Sequence, residues 1–271
     1  MQRILLLAIA SLFFSTTEIS AQTKAKLKKT LELKMPKTAD DDMCGTRGAS
    51  VVWHPIQKKY YASFAGNTGY PFAVFDVKGK RLSKDDVTAM VDVRGLWYNP
   101  KTKAISGNAY DNGGWFTYTL DKKGIIEDNT IDIEGMNQPD AQSVGVLNPR
   151  KDEVLFLNKT YIDRYDNNGV FVDAIQIHHG KIEDDFIDTD DETLETYNYT
   201  SIIYTGLAKS EVGLLNVEQK RIELYDLSTG LLKSKLLLPD DAPVEKSFNF
   251  AYANGIYWLF SIEKRTWIGY K

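Results

Sequence analysis

The sequence predicts an all-β fold built from a repeated four-stranded unit, and three observations carry that prediction. First, short aromatic and β-branched runs alternate with turn residues. Between Arg94 and Gly124 the runs GLWYNP, AISGNAY and WFTYTL are stopped by Asn-Pro, Asp-Asn-Gly-Gly and Asp-Lys-Lys-Gly. Such runs are the signature of antiparallel strands, and their stops set turn dihedrals, because Pro fixes φ and Gly accepts φ > 0. Second, the first hairpin turn recurs at His54-Pro55, Asn99-Pro100 and Asn148-Pro149, with the prolines 45 and 49 residues apart. Third, the turn after the third strand recurs as FDVKGK, LDKKG, YDNNG and YDLSTG, whose glycines Gly79, Gly124, Gly169 and Gly230 are spaced by 45, 45 and 61. From turn proline to turn glycine the distance is 24, 24 and 20 residues, so the two landmarks stay in phase. Four antiparallel strands in about 45 residues is the arithmetic of a β-propeller blade. Five blades account for nearly all of the chain after its leader; six is the alternative count.

In chain order, residues 1–21 read as a secretory signal. Arg3 gives the charged start, Ile4 to Phe14 the apolar region, and Ile19-Ser20-Ala21 a cleavage site before Gln22. The apolar region is shorter than the roughly 20 residues that span a bilayer. The expected product is exported, periplasmic or extracellular, with residues 22–271 forming one domain. Units one to three follow the turn landmarks above, the second ending in the alternating strand IIEDNTIDIE from Ile125 to Glu134. The fourth reads TSIIYTGLA, EVGLLNV, RIELYDLSTG and LLKSKLLLP, and the fifth FNFAYANG, GIYWLFSI and RTWIGYK. The fifth lacks its own last strand. KTLELKMP, from Lys29 to Pro36, resembles KSKLLLP and is predicted to complete that blade, with Leu31–Met35 beside Trp267–Tyr270. A ring closed this way leaves no exposed strand edge at the seam.

Composition fits an ordinary globular chain, with 43% hydrophobic and 26% charged residues. Removing residues 1–21 removes Arg3 and Glu18, so the net charge stays at −4. A mildly acidic chain carries no footprint for nucleic acid or anionic lipid, and no later stretch is apolar enough to span a membrane. The single cysteine, Cys44, allows no intramolecular disulfide and reads as a small, partly buried residue. The 61-residue spacing marks an insertion at about 178–198, with eight carboxylates between Glu183 and Glu195. It lacks the spacing and central glycine of an EF-hand, so it reads as a solvated loop that orders no calcium. His178 and His179 are adjacent, and neighbours on a strand point to opposite faces; one is expected to face solvent and the other to pack. No metal and no cofactor is implied.

The segment from Ile162 to Val172, IDRYDNNGVFV, resembles the closing half of an NHL repeat, where an aromatic-Asp-turn-Gly motif joins the last two strands. Tyr98-Asn99-Pro100-Lys101-Thr102-Lys103 is similar to the Asn-Pro turn of YVTN-type propeller repeats. The resemblance implies an architecture shared by binding scaffolds, hydrolases and cell-surface modules, and fold alone does not choose among them.

A site is expected where the loops entering the innermost strands meet the loops between second and third strands, around the channel. The entry loops hold Arg47, Asp92 with Arg94, Asp140 with Gln142, Tyr197 with Asn198, and Lys246. The second-to-third loops hold Asn67 and Tyr70; Tyr110, Asp111 and Trp115; Asn158 with Lys159; and Glu218. From these, Arg47, Asn67, Tyr70, Arg94, Tyr110, Trp115, Gln142 and Asn158 are the candidate ligand contacts, because flat aromatics beside amides suit a polar ligand with apolar faces. Several of the Asn and Asp residues also fit as turn formers. Trp115 is expected to be partly exposed. There is no G-x-S-x-G elbow, no H-E-x-x-H and no phosphate loop, so the sequence favours a non-catalytic module binding a small molecule, glycan or protein. The alternative is a carbohydrate-active hydrolase using Asp92, Asp111 and Asp140 as acid and base or nucleophile.

Overall fold

The computed structural model of the chain describes residues 24–38, 46–179 and 195–271. The leader, Cys44 and most of the acidic insertion lie outside the described residues. Five small sheets are arranged as a five-bladed β-propeller.

Blade 1 holds β3 (Arg47–His54), β4 (Lys59–Ala65) and β5 (Phe72–Phe75); the strands β1 and β2 that precede it belong elsewhere. Blade 2 holds β6 (Val93–Asn99), β7 (Ala104–Ala109), β8 (Trp115–Leu120) and β9 (Ile126–Ile133). Blade 3 holds β10 (Val146–Asn148), β11 (Glu153–Asn158), β12 (Tyr161–Asp166) and β13 (Phe171–Gln176). Blade 4 holds β14 (Ile203–Leu207), β15 (Ser210–Asn216), β16 (Arg221–Tyr225) and β17 (Leu232–Leu237). Blade 5 holds β18 (Phe250–Ala253), β19 (Ile256–Ser261) and β20 (Thr266–Tyr270), and β2 (Lys29–Lys34) completes it. β2 runs antiparallel to β20, with Leu31 opposite Gly269 and Leu33 opposite Trp267. The strand just before it, β1 (Lys24–Lys26), adds to blade 4 in parallel, with Ala25 opposite Leu236.

Turn chemistry explains the repeat. At the third-to-fourth turns one carboxylate accepts two backbone amides: Asp76 from Lys78 and Lys80, Asp121 from Lys123 and Ile125, and Asp166 from Asn168 and Val170. Each of these turns ends in a left-handed glycine, as does that of blade 4, with φ of 80° at Gly79 and 68° at Gly230. Gly230 has a second reason to lack a side chain, since a Cβ there would lie 1.8 Å from the Gln176 carbonyl oxygen. That contact presses the turn of blade 4 onto the outer strand of blade 3.

Blade 1 departs from the four-strand expectation. The charged residues Lys80, Arg81, Lys84, Asp85 and Asp86 interrupt any apolar alternation, so residues 80–89 follow β5 only through isolated bridges, Arg81 opposite Phe75 and Thr88 opposite Pro71, and form no continuous strand. Leu82 N and Ser83 N both donate to Val74 O, and Ser83 Oγ accepts from Val74 N at 3.0 Å.

Among the described residues the buried side chains form five clusters, one per junction between neighbouring blades. Aromatic and β-branched residues dominate because each sheet buries both faces against its neighbours. No helix among the described residues is long and apolar enough to cross a membrane.

Candidate ligand-binding face

The inner strands are knitted together at their entry ends by buried amides. Asn108 Nδ2 donates to Ser143 O, and its Oδ1 accepts from Gly145 N, joining blades 2 and 3. Asn249 Oδ1 accepts from Gly48 N at 2.7 Å, joining blades 5 and 1. Asn198 Nδ2 donates to Glu245 O and Phe248 O, joining blades 4 and 5. These bonds satisfy backbone groups that would otherwise be buried unpaired.

On this frame Arg94 is the hub, only 3% exposed. Its Nη1 donates to Asp92 Oδ1 at 2.5 Å and its Nε to Gln142 Oε1 at 3.0 Å. The guanidinium lies 4.5 Å from the Tyr110 ring centroid and 5.4 Å from that of Phe248, both within cation–π range. Arg47 also approaches Phe248, at 5.8 Å. Phe248 reaches this position through left-handed backbone, with φ of 50° there and 60° at Asn249. Such a conformation costs a bulky residue on the order of 1–3 kcal/mol; Thr200 Oγ1, accepting from Phe248 N at 2.6 Å, helps hold it.

Beside the hub, between blades 3 and 4, opens a cavity of about 450 Å³. Asp140, Gln142, Asn158, Lys159, His179 and Tyr199 are among its walls, over a floor including Leu157 and Leu214. Asn158 Nδ2 donates to Asp163 Oδ2 at 2.8 Å, and burial raises the Asp163 carboxyl pKa above its usual range, opposed by that bond. His179 packs 4.5 Å from Tyr197. Both of its ring nitrogens are enclosed and find no hydrogen-bond partner among the described residues, and burial lowers its pKa, partly offset by Glu223. The imidazole is therefore neutral at neutral pH. Behind it Glu223, fully buried, accepts from Tyr197 Oη at 2.7 Å, Tyr225 Oη at 2.5 Å and Arg221 Nε at 2.5 Å. Burial, with Glu223 next, pushes the Tyr197 phenol up to about 12.

The residues expected from sequence divide into three groups. Asp92, Arg94, Tyr110, Gln142 and Asp140 come together: Gln142 N donates to Asp140 Oδ1, and Asp111 N donates to Ala141 O. Asn158 joins them across the cavity. Arg47 reaches the same face only through Phe248. Asn67 and Tyr70 stand apart. Asn67 Oδ1 accepts from Gly69 N at 2.8 Å and forms its own turn, while Tyr70 packs on Phe64 at the blade 5–1 junction. Trp115 corrects the expectation of partial exposure. It is 5% exposed, wedged against Trp97 at 5.8 Å and Phe156 at 6.2 Å, with Nε1 donating to Asn137 O. As the first residue of β8 it falls on the sheet face that blade 3 covers, so it is core.

The three carboxylates considered for hydrolysis are held in local contacts. Asp92 accepts from Arg94 and from Gly66 N, Asp140 from Gln142 N, and Asp111 from Asn112 Nδ2. Sequence reasoning missed Phe248, Thr200 and Asp163. Phe248 and Thr200 act on each other across 48 residues and through an unexpected backbone conformation, and no short-range motif marks any of the three.

No protein-family model matches the sequence, and no curated protein does. Among solved structures the chain is similar to the glutaminyl cyclase of Myxococcus xanthus, with a TM-score of 0.51 and 11% identity over 92% of this chain and 97% of that one. A catalytically inactive virginiamycin B lyase of Staphylococcus aureus, with quinupristin, gives a TM-score of 0.41 and 13% identity over 87% of this chain and 68% of that one. The selenomethionine-substituted form of that lyase gives 0.40 and 15% over 86% and 67%. At 11% identity the likeness to the cyclase shows a shared propeller fold and nothing finer.

Proposed function

We propose that the protein is an exported β-propeller of NHL-like repeat architecture that binds a small polar ligand at its entry-loop face. The observation that carries this reading is the cavity between blades 3 and 4, where amide, ammonium, carboxylate and imidazole groups converge over an apolar floor. Convergent polar groups on a concave apolar wall are the usual form of a small-molecule site. A sugar or other polyhydroxylated metabolite suits that wall. Binding without catalysis is favoured by the state of Asp92, Asp111 and Asp140, each engaged by neighbouring donors. A glycan and metabolite binding screen on the chain lacking residues 1–21 tests it. A ligand whose affinity falls at least tenfold in Asn158→Ala and Lys159→Gln, with melting temperatures held, supports the site. Binding indifferent to both substitutions rejects it.

A second reading rests on His179. A neutral imidazole at a cavity wall, its nitrogens without a partner among the described residues, can exchange a proton with a bound molecule once the ring turns a nitrogen toward the cavity, and similar folds carry enzymes such as the glutaminyl cyclase above. Under that reading, turnover of a screen hit disappears in His179→Gln while its binding persists. Binding with no turnover decides for the first reading.

A further inference from the structure

The other end of the channel, where the first hairpin turns gather, carries different chemistry. A second cavity of about 270 Å³ is lined there by residues of all five blades. Register explains its lining. Trp53, Tyr98, Leu147 and Tyr252 occupy the same place near the end of the inner strand, each opposite the second residue of the next strand: Tyr60, Ile105, Val154 and Tyr257. In blade 4, Tyr204 takes the corresponding place beside a register shift. The repeat therefore sets a half-buried aromatic ring at the mouth in four of five blades. Tyr204 Oη is enclosed and has no hydrogen-bond partner among the described residues.

Among the described residues no charged side chain lines this cavity, but the turns around it are basic. Lys58, Lys101, Lys103, Arg150, Lys151 and Lys209 are all exposed on the four hairpin turns of blades 1 to 4. Arg150 Nη2 donates to Gly206 O at 2.7 Å, which places its guanidinium over the hairpin that carries Tyr204. Two carboxylates sit among these turns: Asp152, which pairs with Lys101 at 2.7 Å, and Glu211, whose Oε1 accepts from Lys209 N at 2.8 Å, so each is engaged by a group of the rim. A chain of net charge −4 thus presents a cationic rim around an aromatic funnel.

We propose that this mouth is a second binding site, specific for a small organic anion with a flat apolar body, such as an aromatic carboxylate. The flat body stacks within the funnel, the rim attracts the carboxylate, and the Tyr204 phenol, enclosed by its neighbours, donates once its ring turns toward the ligand. A cationic ligand would gain from the ring faces but meet like charges at the rim.

Calorimetric titration with three probes of similar shape tests it: benzoate, benzamide and benzyltrimethylammonium. The expected order places benzoate at least tenfold tighter than benzamide, with the ammonium weakest. Tyr204→Phe should weaken benzoate severalfold and leave benzamide unchanged. The exposed substitutions Lys58→Gln, Lys103→Gln and Lys151→Gln together should erase the preference for the anion and leave the melting temperature as it was. Absence of benzoate binding at millimolar concentration, tighter binding of the ammonium probe, or an anion preference that survives both variants overturns the proposal. Binding of anionic vesicles in place of benzoate would do so as well, identifying a lipid surface as the partner of the basic rim.

Discussion

The junction between blades 5 and 1 and the junction between blades 2 and 3 solve the same packing problem differently. At the first, where the two ends of the chain meet, Tyr60, Phe64, Phe75, Trp258, Phe260 and Trp267 are all buried, joined by Leu33 and Met35 from the closing segment. At the second, the buried cluster is Trp97, Trp115, Leu147, Val154 and Phe156, and a groove of about 460 Å³ opens beside it between Asp132, Asp152, Asn167 and Thr117. Blade 1 is joined by the chain only to β2 of blade 5, and β2 is held to β18–β20 by pairing with β20 and by packing, not by a covalent link. Blades 2 and 3 follow one another in the chain, and the connecting segment keeps them adjacent even with a smaller core.

The strongest test of that contrast is removal of residues 24–36. It uncovers the apolar surface that buried Leu27, Leu33 and Met35 cover and exposes the β20 edge. At about 1.5–3 kcal/mol per large apolar side chain, the loss is roughly 5 kcal/mol or more. Thermal and urea denaturation measure it, and an unchanged melting temperature would show that the ring is held elsewhere.

Next come the two tryptophans. Trp267→Ala should cost about 3–5 kcal/mol by leaving a cavity in a densely packed seam. Trp115→Ala should fall at or below the lower end of that range, because the adjoining groove lets water and side chains fill the space. Equal or reversed losses in urea denaturation would remove the distinction between the junctions.

Glycines sharpen it at smaller scale. A Cβ on Gly48 would lie 2.5 Å from the Trp267 ring and 2.7 Å from Phe260, so Gly48→Ala is expected to cost about 1–3 kcal/mol through overpacking. Gly135, on the link between blades 2 and 3, has φ of 87°, and a methyl group added there would meet no atom within 4 Å. Gly135→Ala should therefore cost only the backbone strain, about 1 kcal/mol.

The smallest effects are expected at the intermediate junction of blades 3 and 4, and they depend on pH. The His179 pKa is lowered in the fold, so below its ordinary 6.5 the unfolded chain takes up a proton that the fold resists, and stability falls as the pH drops. The Asp163 pKa is raised, so the fold holds a proton longer than the unfolded chain, and stability falls as the pH rises from 3.8 through the folded value. Melting curves across this range should flatten on the neutral side in His179→Gln and on the acid side in Asp163→Asn. Slopes unaltered by these substitutions would assign the pH dependence to other groups.

Much of the fold was legible in the sequence because its signals are local. Asp121 and Gly124 build their turn from bonds within four residues, and Asn99 caps the Pro100 turn by accepting from Lys101 N at 2.9 Å. The closing strand was legible because Lys29 to Pro36 repeats the pattern of a fourth strand that blade 5 lacks. β1 was not, since three residues paired in parallel with β17 leave no periodic trace. Nor was the broken pairing of residues 80–89, where charge interrupts the strand that the turn spacing alone allowed.

The candidate face gathers some of the residues that loop position pointed to and not others. Arg94, Gln142 and Asp140 converge as the loop geometry implied, while Trp115 and Tyr70 carry the same aromatic signal as a binding platform and are packing residues. By itself the sequence determined most of the strands, their turns and the repeat length, because dihedral preferences and Asx hydrogen bonds act over two to five residues. Tertiary structure alone decided which aromatics face solvent, which imidazole nitrogens lack partners, and which junction holds a cavity. Those properties depend on side chains about one repeat distant, in a neighbouring blade, and burial is a property of the pair and not of either segment.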